Sequence, residues 1–101
     1  MRRFAYRRGV SILIDPPVWP GPRGLLWSHL VSDSSFAELH AFARRLGIPE
    51  RGFHRDHYDV PEDRYDHAVR LGAEAVPARV VVARLHAAGL RRRKHGRALA
   101  P

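Results

Sequence analysis

The strongest constraint on this chain lies at residues 10–17. Val10-Ser11-Ile12-Leu13-Ile14 is short, apolar and rich in β-branched residues, and Asp15-Pro16-Pro17 stops it. A continuous apolar run of this length suits a strand buried on both faces, and prolines cannot continue a central strand. The chain must therefore leave the sheet at Asp15. Residues 16–24 hold four prolines and two glycines in nine positions, so they read as loop, with Trp19 inside it.

Beyond this loop, strand and helix patterns alternate. A second strand is expected over 25–31, with Trp27, His29 and Val31 on one face. Ser32 to Ser35 offer caps, and Glu38 falls three residues after Ser35, a capping-box spacing. This predicts a helix over 36–46, with Phe36, Leu39, Phe42, Ala43 and Leu46 inward and Gly47 as its stop. Residues 52–54 read as a very short strand or an extended crossing. Asp59 to Glu62 repeats the capping spacing, which makes Asp59 the N-cap of a second helix over 61–71. A strand over 73–76 and a helix over 78–88 complete the order. Such alternation predicts an α/β domain with a short, mostly parallel sheet of three to four strands and three helices. A thin core of this kind would gain from a homodimer that covers a sheet edge.

Length and composition bound the function. With 101 residues the chain has room for one core, and with no cysteine it has no disulfide, thiolate ligand or thiol nucleophile. No apolar run reaches the ~20 residues that span a bilayer, and the apolar stretch behind the basic N-terminus is too short for a signal peptide. A cytoplasmic protein without membrane contact is expected.

The formal charge of +8 suggests polyanions until it is mapped. Nine of the eighteen basic residues lie in residues 1–9 and 91–101, leaving nine against all ten acids in residues 10–90. The central domain, 10–90, is thus near neutral. Residues 1–9 read as a basic flexible extension and 91–101 as a basic disordered tail. Arginine-rich ends attract phosphates by counterion release, so nucleic acid or a nucleotide is an expected partner of the ends.

In an open parallel sheet, ligands collect outside the carboxyl ends of the strands. Asp15 comes after the first strand, Asp33 after the second, and Asp56, His57, Tyr58 and Asp59 after the third. A parallel sheet would bring these groups to one rim. Carboxylates suit magnesium or manganese, and imidazole extends the menu to zinc. Asp15, Asp33, His57, Asp59 and His29 are the candidate metal ligands. Without a metal, His57 would act as general base, oriented by Asp59 or Asp15. Trp27, Tyr58 and His40 are candidate substrate contacts, and Arg79 at the start of the third helix is placed to meet an anion. No HExxH helix, P-loop, GxGxxG turn or serine-nucleophile motif is present.

The strings VSILIDPPVWPG, LWSHLVSD, ELHAFARRLGIP, GFHRDHYDVPEDRY and AVRLGAEAVPAR together resemble the bacterial and phage family known as domain of unknown function 4031. The resemblance covers roughly residues 10–90. It implies a compact cytoplasmic protein whose motif positions are Asp15, Trp27, Ser28, His29, Asp33, Glu38, His40, His57, Tyr58 and Asp59. Pro16 stands here where many members carry a second polar residue, and MRRFAYRRG extends beyond the usual start. The leading expectation is a metal-assisted hydrolase of a phosphoester, nucleotide or nucleic acid. The alternative is a non-catalytic module that binds nucleic acid or protein.

Overall fold

The computed structural model describes residues 11–91. Six strands form one sheet: β1 (Ile12–Ile14), β2 (Trp19–Pro20), β3 (Leu26–Ser32), β4 (Phe53–His54), β5 (His57–Pro61) and β6 (Glu74–Ala75). Three helices accompany it: α1 (Phe36–Leu46), α2 (Tyr65–Leu71) and α3 (Ala78–Ala87). The strand order is β4-β5-β3-β1-β6, with β2 also paired to β3. Among the described residues no helix is long and apolar enough to cross a membrane.

The α/β class and the three helices match the expectation, but the sheet is mostly antiparallel and has more strands. Among the described residues only β1 and β6 pair in parallel; β1–β3, β2–β3, β3–β5 and β4–β5 are antiparallel. Two short reversals account for this. The proline-rich segment, expected to be all loop, returns the chain from β1 to β3 through β2 and a 3-10 turn at Pro22–Gly24, with no α-helical crossover, and antiparallel neighbours need none. A hairpin hidden in Phe53–Pro61 then turns at Arg55, whose φ is 62°, and Asp56. Without that hairpin, the strand after α1 would have run parallel to β3.

Helix α1 forms as its sequence directs. The Ser35 hydroxyl accepts from the Glu38 backbone N–H at 3.1 Å, and Gly47 closes the helix at φ 86°. Helix α2 begins later than expected. β5 runs on to Pro61 and a 3-10 turn occupies Glu62–Arg64, so Asp59 lies within a strand and caps nothing.

Side-chain alternation sorts the core into two layers. Ile12, Ile14, Leu30, Tyr58 and Val60 face Leu39, Phe42, Ala43 and Leu46 of α1 and Ala68 of α2. On the other face, Leu13 and Val31 pack against Val81 and Leu85 of α3. This second layer is small and lies at the β1 side of the sheet. The rest of that face carries Trp27, His29, His57 and Asp59.

Candidate functional site

The exposed half of the sheet is polar because of register. Asp59 stands directly opposite His29 across the β3–β5 pair. On the other flank, the Asp15 backbone N–H donates to the His29 carbonyl at 3.2 Å. His57 precedes Asp59 by two residues and so shares its face. Asp15, His29, His57 and Asp59 therefore meet on a face of the sheet. The rim expected from a parallel sheet does not exist.

Each imidazole is held by a buried carboxylate. Asp15 is 1 % exposed. Its Oδ1 accepts the His29 backbone N–H at 2.6 Å, and its Oδ2 accepts from His29 Nδ1 at 2.9 Å and from Trp19 Nε1 at 3.4 Å. His57 Nδ1 lies 2.9 Å from Oδ1 of buried Asp56. Arg91 grips the same carboxylate, with Nε 2.7 Å from Oδ2 and Nη2 3.0 Å from Oδ1. His57 Nε2 in turn lies 3.3 Å from Asp59 Oδ1. The His29 and His57 rings meet edge to face, with centroids 5.0 Å apart.

Burial works against charge on His57, but hydrogen bonds and charge attraction from Asp59 and Asp56 outweigh it and raise its pKa above the usual 6.5. For Asp56 burial also opposes ionisation; Arg91 and His57 overcome it and hold the carboxyl below 3.8. Asp59 is lowered chiefly by its hydrogen bond to His57, against burial, with help from the charges of His57, His29 and His54. Arg91 is raised by its hydrogen bond to Asp56.

These shifts make the stability of the metal-free chain depend on pH. Because the folded His57 value is raised, its contribution is complete below 6.5 and is lost as pH rises through the folded value. Because the two acids are lowered, theirs is complete above 3.8 and is lost as pH falls through their folded values. Thermal unfolding in chelator is expected to show greatest stability in mildly acidic buffer, between these two limits. His57→Gln should flatten the alkaline side; an unchanged alkaline limb would contradict the assignment.

Two clefts flank the cluster. The larger, of about 670 Å³, lies toward the β4–β5 hairpin and includes Trp27, Arg51, Phe53, His54, His57 and Asp59 in its walls. The smaller, of about 360 Å³, lies toward α3 and includes Asp15, Ala78, Arg79, Val82 and Arg91. Trp19 and His29 line both. Trp27 is fixed by donation from its Nε1 to the Pro22 carbonyl at 3.3 Å and by the Arg23 guanidinium 5.4 Å from its ring centroid. A Cβ at Gly21 would stand 2.6 Å from that indole, so only glycine lets the loop lie so close.

The structure thus brings together Asp15, His29, His57 and Asp59, with Trp27 and Arg79 in the cleft walls. It leaves out three other expected residues. Asp33 lies four positions beyond His29, roughly 13 Å along an extended strand. There it pairs with Arg84 at 2.6 Å. Tyr58 and His40 belong to the opposite face, because Tyr58 alternates with His57 and Asp59. Tyr58 is 1 % exposed, its hydroxyl shares a 2.6 Å hydrogen bond with His40 Nδ1, and burial raises its pKa.

Asp56 and Arg91 carry more of the site than their sequence context suggests. Asp56 looks like a turn residue, and its main partner is 35 positions away. Arg91 begins the stretch expected to be a disordered tail, yet it lies among the described residues and is tied to the domain. The remaining basic residues of the two ends, 1–9 and 92–101, lie outside the described residues.

No curated protein and no solved structure matches the chain significantly. A family model described as Protein of unknown function (DUF4031) matches residues 12–88, which include every strand and helix above and both aspartate–histidine pairs, and the chain belongs to that family.

Proposed function

We propose that this face is a metal-assisted hydrolytic centre for a phosphoester, with His29, His57 and Asp59 as the ligands of a divalent cation. The observation that carries the reading is the orientation of the two histidines. Each commits Nδ1 to a carboxylate, Asp15 or Asp56, which makes Nε2 the coordinating nitrogen. Metal-binding histidines are typically held this way.

One ligand atom from each of His29, His57 and Asp59 lies within 4.8 Å of the others. Ligands of a tetrahedral ion with bonds of about 2.1 Å stand about 3.4 Å apart, so these side chains would have to draw together by up to about 1.4 Å to hold one. Two imidazoles and one carboxylate favour zinc or manganese over magnesium. A cation held by three protein ligands supplies Lewis-acid polarisation and an acidified water near neutral pH.

The chain's own groups supply the rest. Asp15 and Asp56 fix the tautomer and angle of the imidazoles. Arg79 and Arg51 line the clefts on either side and neutralise phosphate oxygens. Trp19 and Trp27 give the substrate apolar surface to lie against.

Calorimetric titration of the stripped protein with zinc and with manganese tests the metal. One equivalent is expected to bind the wild type, and His57→Ala or Asp59→Ala should weaken it at least about a hundredfold. Equal heats in wild type and variants, or none in any, would refute the site. A generic phosphodiester such as bis-p-nitrophenyl phosphate tests the chemistry. A loaded wild type that hydrolyses it no faster than His57→Ala would refute the hydrolase reading.

A further inference from the structure

We propose that the substrate is a single strand of nucleic acid lying across the sheet face, over the His29–His57–Asp59 centre. The proposal rests on that centre being where reaction occurs, and it adds the substrate class and its path.

The first observation is the pair of clefts. They are separate volumes that meet at one place, the rings of Trp19 and His29, whose centroids are 5.3 Å apart. A mononucleotide at the centre would need one cleft only. An extended ligand occupies both, passing over His29 where they meet and along the His57 and Asp59 wall of the larger one.

The second is charge. Arg51 stands in the wall of one cleft and Arg79 in that of the other, both exposed. Among the described residues neither forms an ion pair. Arg91 is already neutralised by Asp56. Arginines on both flanks of a reacting centre suit a ligand that carries phosphates on both sides of the bond attacked.

The third is Trp19. It is a large apolar side chain that is 42 % exposed, yet its Nε1 is tied to buried Asp15. A solvent-facing indole held in one orientation is a stacking platform. Unpaired bases offer their faces to such a platform, whereas bases inside a duplex do not. This selects the single strand over the double helix.

Binding in chelator separates this proposal from the metal reading. The probes are fluorescein-labelled oligothymidylates, a dinucleotide and one of about eight residues, with a duplex of the longer length. The full chain is expected to bind the longer strand at least about tenfold tighter than the dinucleotide and than the duplex, with quenching of tryptophan emission. Arg51→Ala and Arg79→Ala should each lower the slope of log K against log salt by about 0.7, one phosphate contact each. Both are surface substitutions, and circular dichroism melts check that the variants fold.

Equal binding of duplex and single strand, or slopes unchanged in both variants, would overturn the proposal, since the basic ends alone would give those results; a dinucleotide bound as tightly as the longer strand would overturn it too, since one cleft would then suffice. Strand binding that survives while the metal titration fails would keep this proposal and discard the metal. Metal binding with no strand preference would do the reverse.

Discussion

Asp15→Ala is expected to destabilise the domain by about 3 kcal/mol, a fall of roughly 15 °C in Tm, while Asp15→Asn costs far less stability and damages the site as much. The carboxylate is buried and accepts three hydrogen bonds, one of them from a main-chain N–H. Alanine leaves the His29 N–H and the Trp19 indole without an acceptor and opens a void beside them. Asparagine can still accept the His29 N–H through its carbonyl oxygen. Its amide, however, takes the place of Oδ2 and presents hydrogens to His29 Nδ1. The ring answers by moving its proton to Nε2, and a protonated Nε2 is no ligand. Zinc affinity is therefore expected to drop about 10- to 100-fold in Asp15→Asn with little change in melting. Thermal melts and calorimetry on both variants check this. Equal metal binding in Asp15→Asn and wild type would show that His29 is not a ligand.

The elements most legible in the sequence are those whose signals are local. Helix α1 combines an amphipathic stripe, a capping box and a terminal glycine within thirteen residues, and its bounds agree. β1 is legible because its apolar run is stopped by Asp15-Pro16-Pro17. The shared face of Trp27, His29 and Val31 comes from strand alternation alone, and it supplies His29 to the cluster and Trp27 to the cleft wall.

The illegible parts depend on pairing partners distant in sequence. His57-Tyr58-Asp59-Val60 alternates polar with apolar, the pattern of a half-buried strand. The capping-box spacing from Asp59 to Glu62 competes with that pattern and points to a helix start. The strand pattern wins, which puts Tyr58 on the opposite face from His57 and removes it from the site. Parallel strands would bring Asp15, His57 and Asp59 together at a rim. The sheet brings them together through antiparallel register instead, and the same difference explains why Asp33 falls outside. Position beside His57 puts Asp56 in the expected cluster, but its role as a buried carboxylate becomes recognisable only once Arg91 is seen to reach it.

That pair carries the second large effect. Asp56→Ala is expected to cost about 2–3 kcal/mol, because it leaves Arg91 and His57 facing a site built for a carboxylate. The figure sits below that for a fully buried pair, since the Arg91 side chain is 32 % exposed and water can take over part of its solvation. Arg91→Ala should cost only about 1 kcal/mol, because Asp56 keeps His57 as a partner. In a double-mutant cycle the two losses should not add, with a coupling of about 1 kcal/mol. Metal affinity separates the roles further. Asp56 fixes the His57 ring, so Asp56→Ala should weaken zinc about 10- to 100-fold, whereas Arg91→Ala should leave it nearly unchanged. If Arg91→Ala lowers metal affinity as much as Asp56→Ala, the arginine and not the carboxylate sets the imidazole. The tether from the end of α3 to the hairpin would then be part of the centre itself.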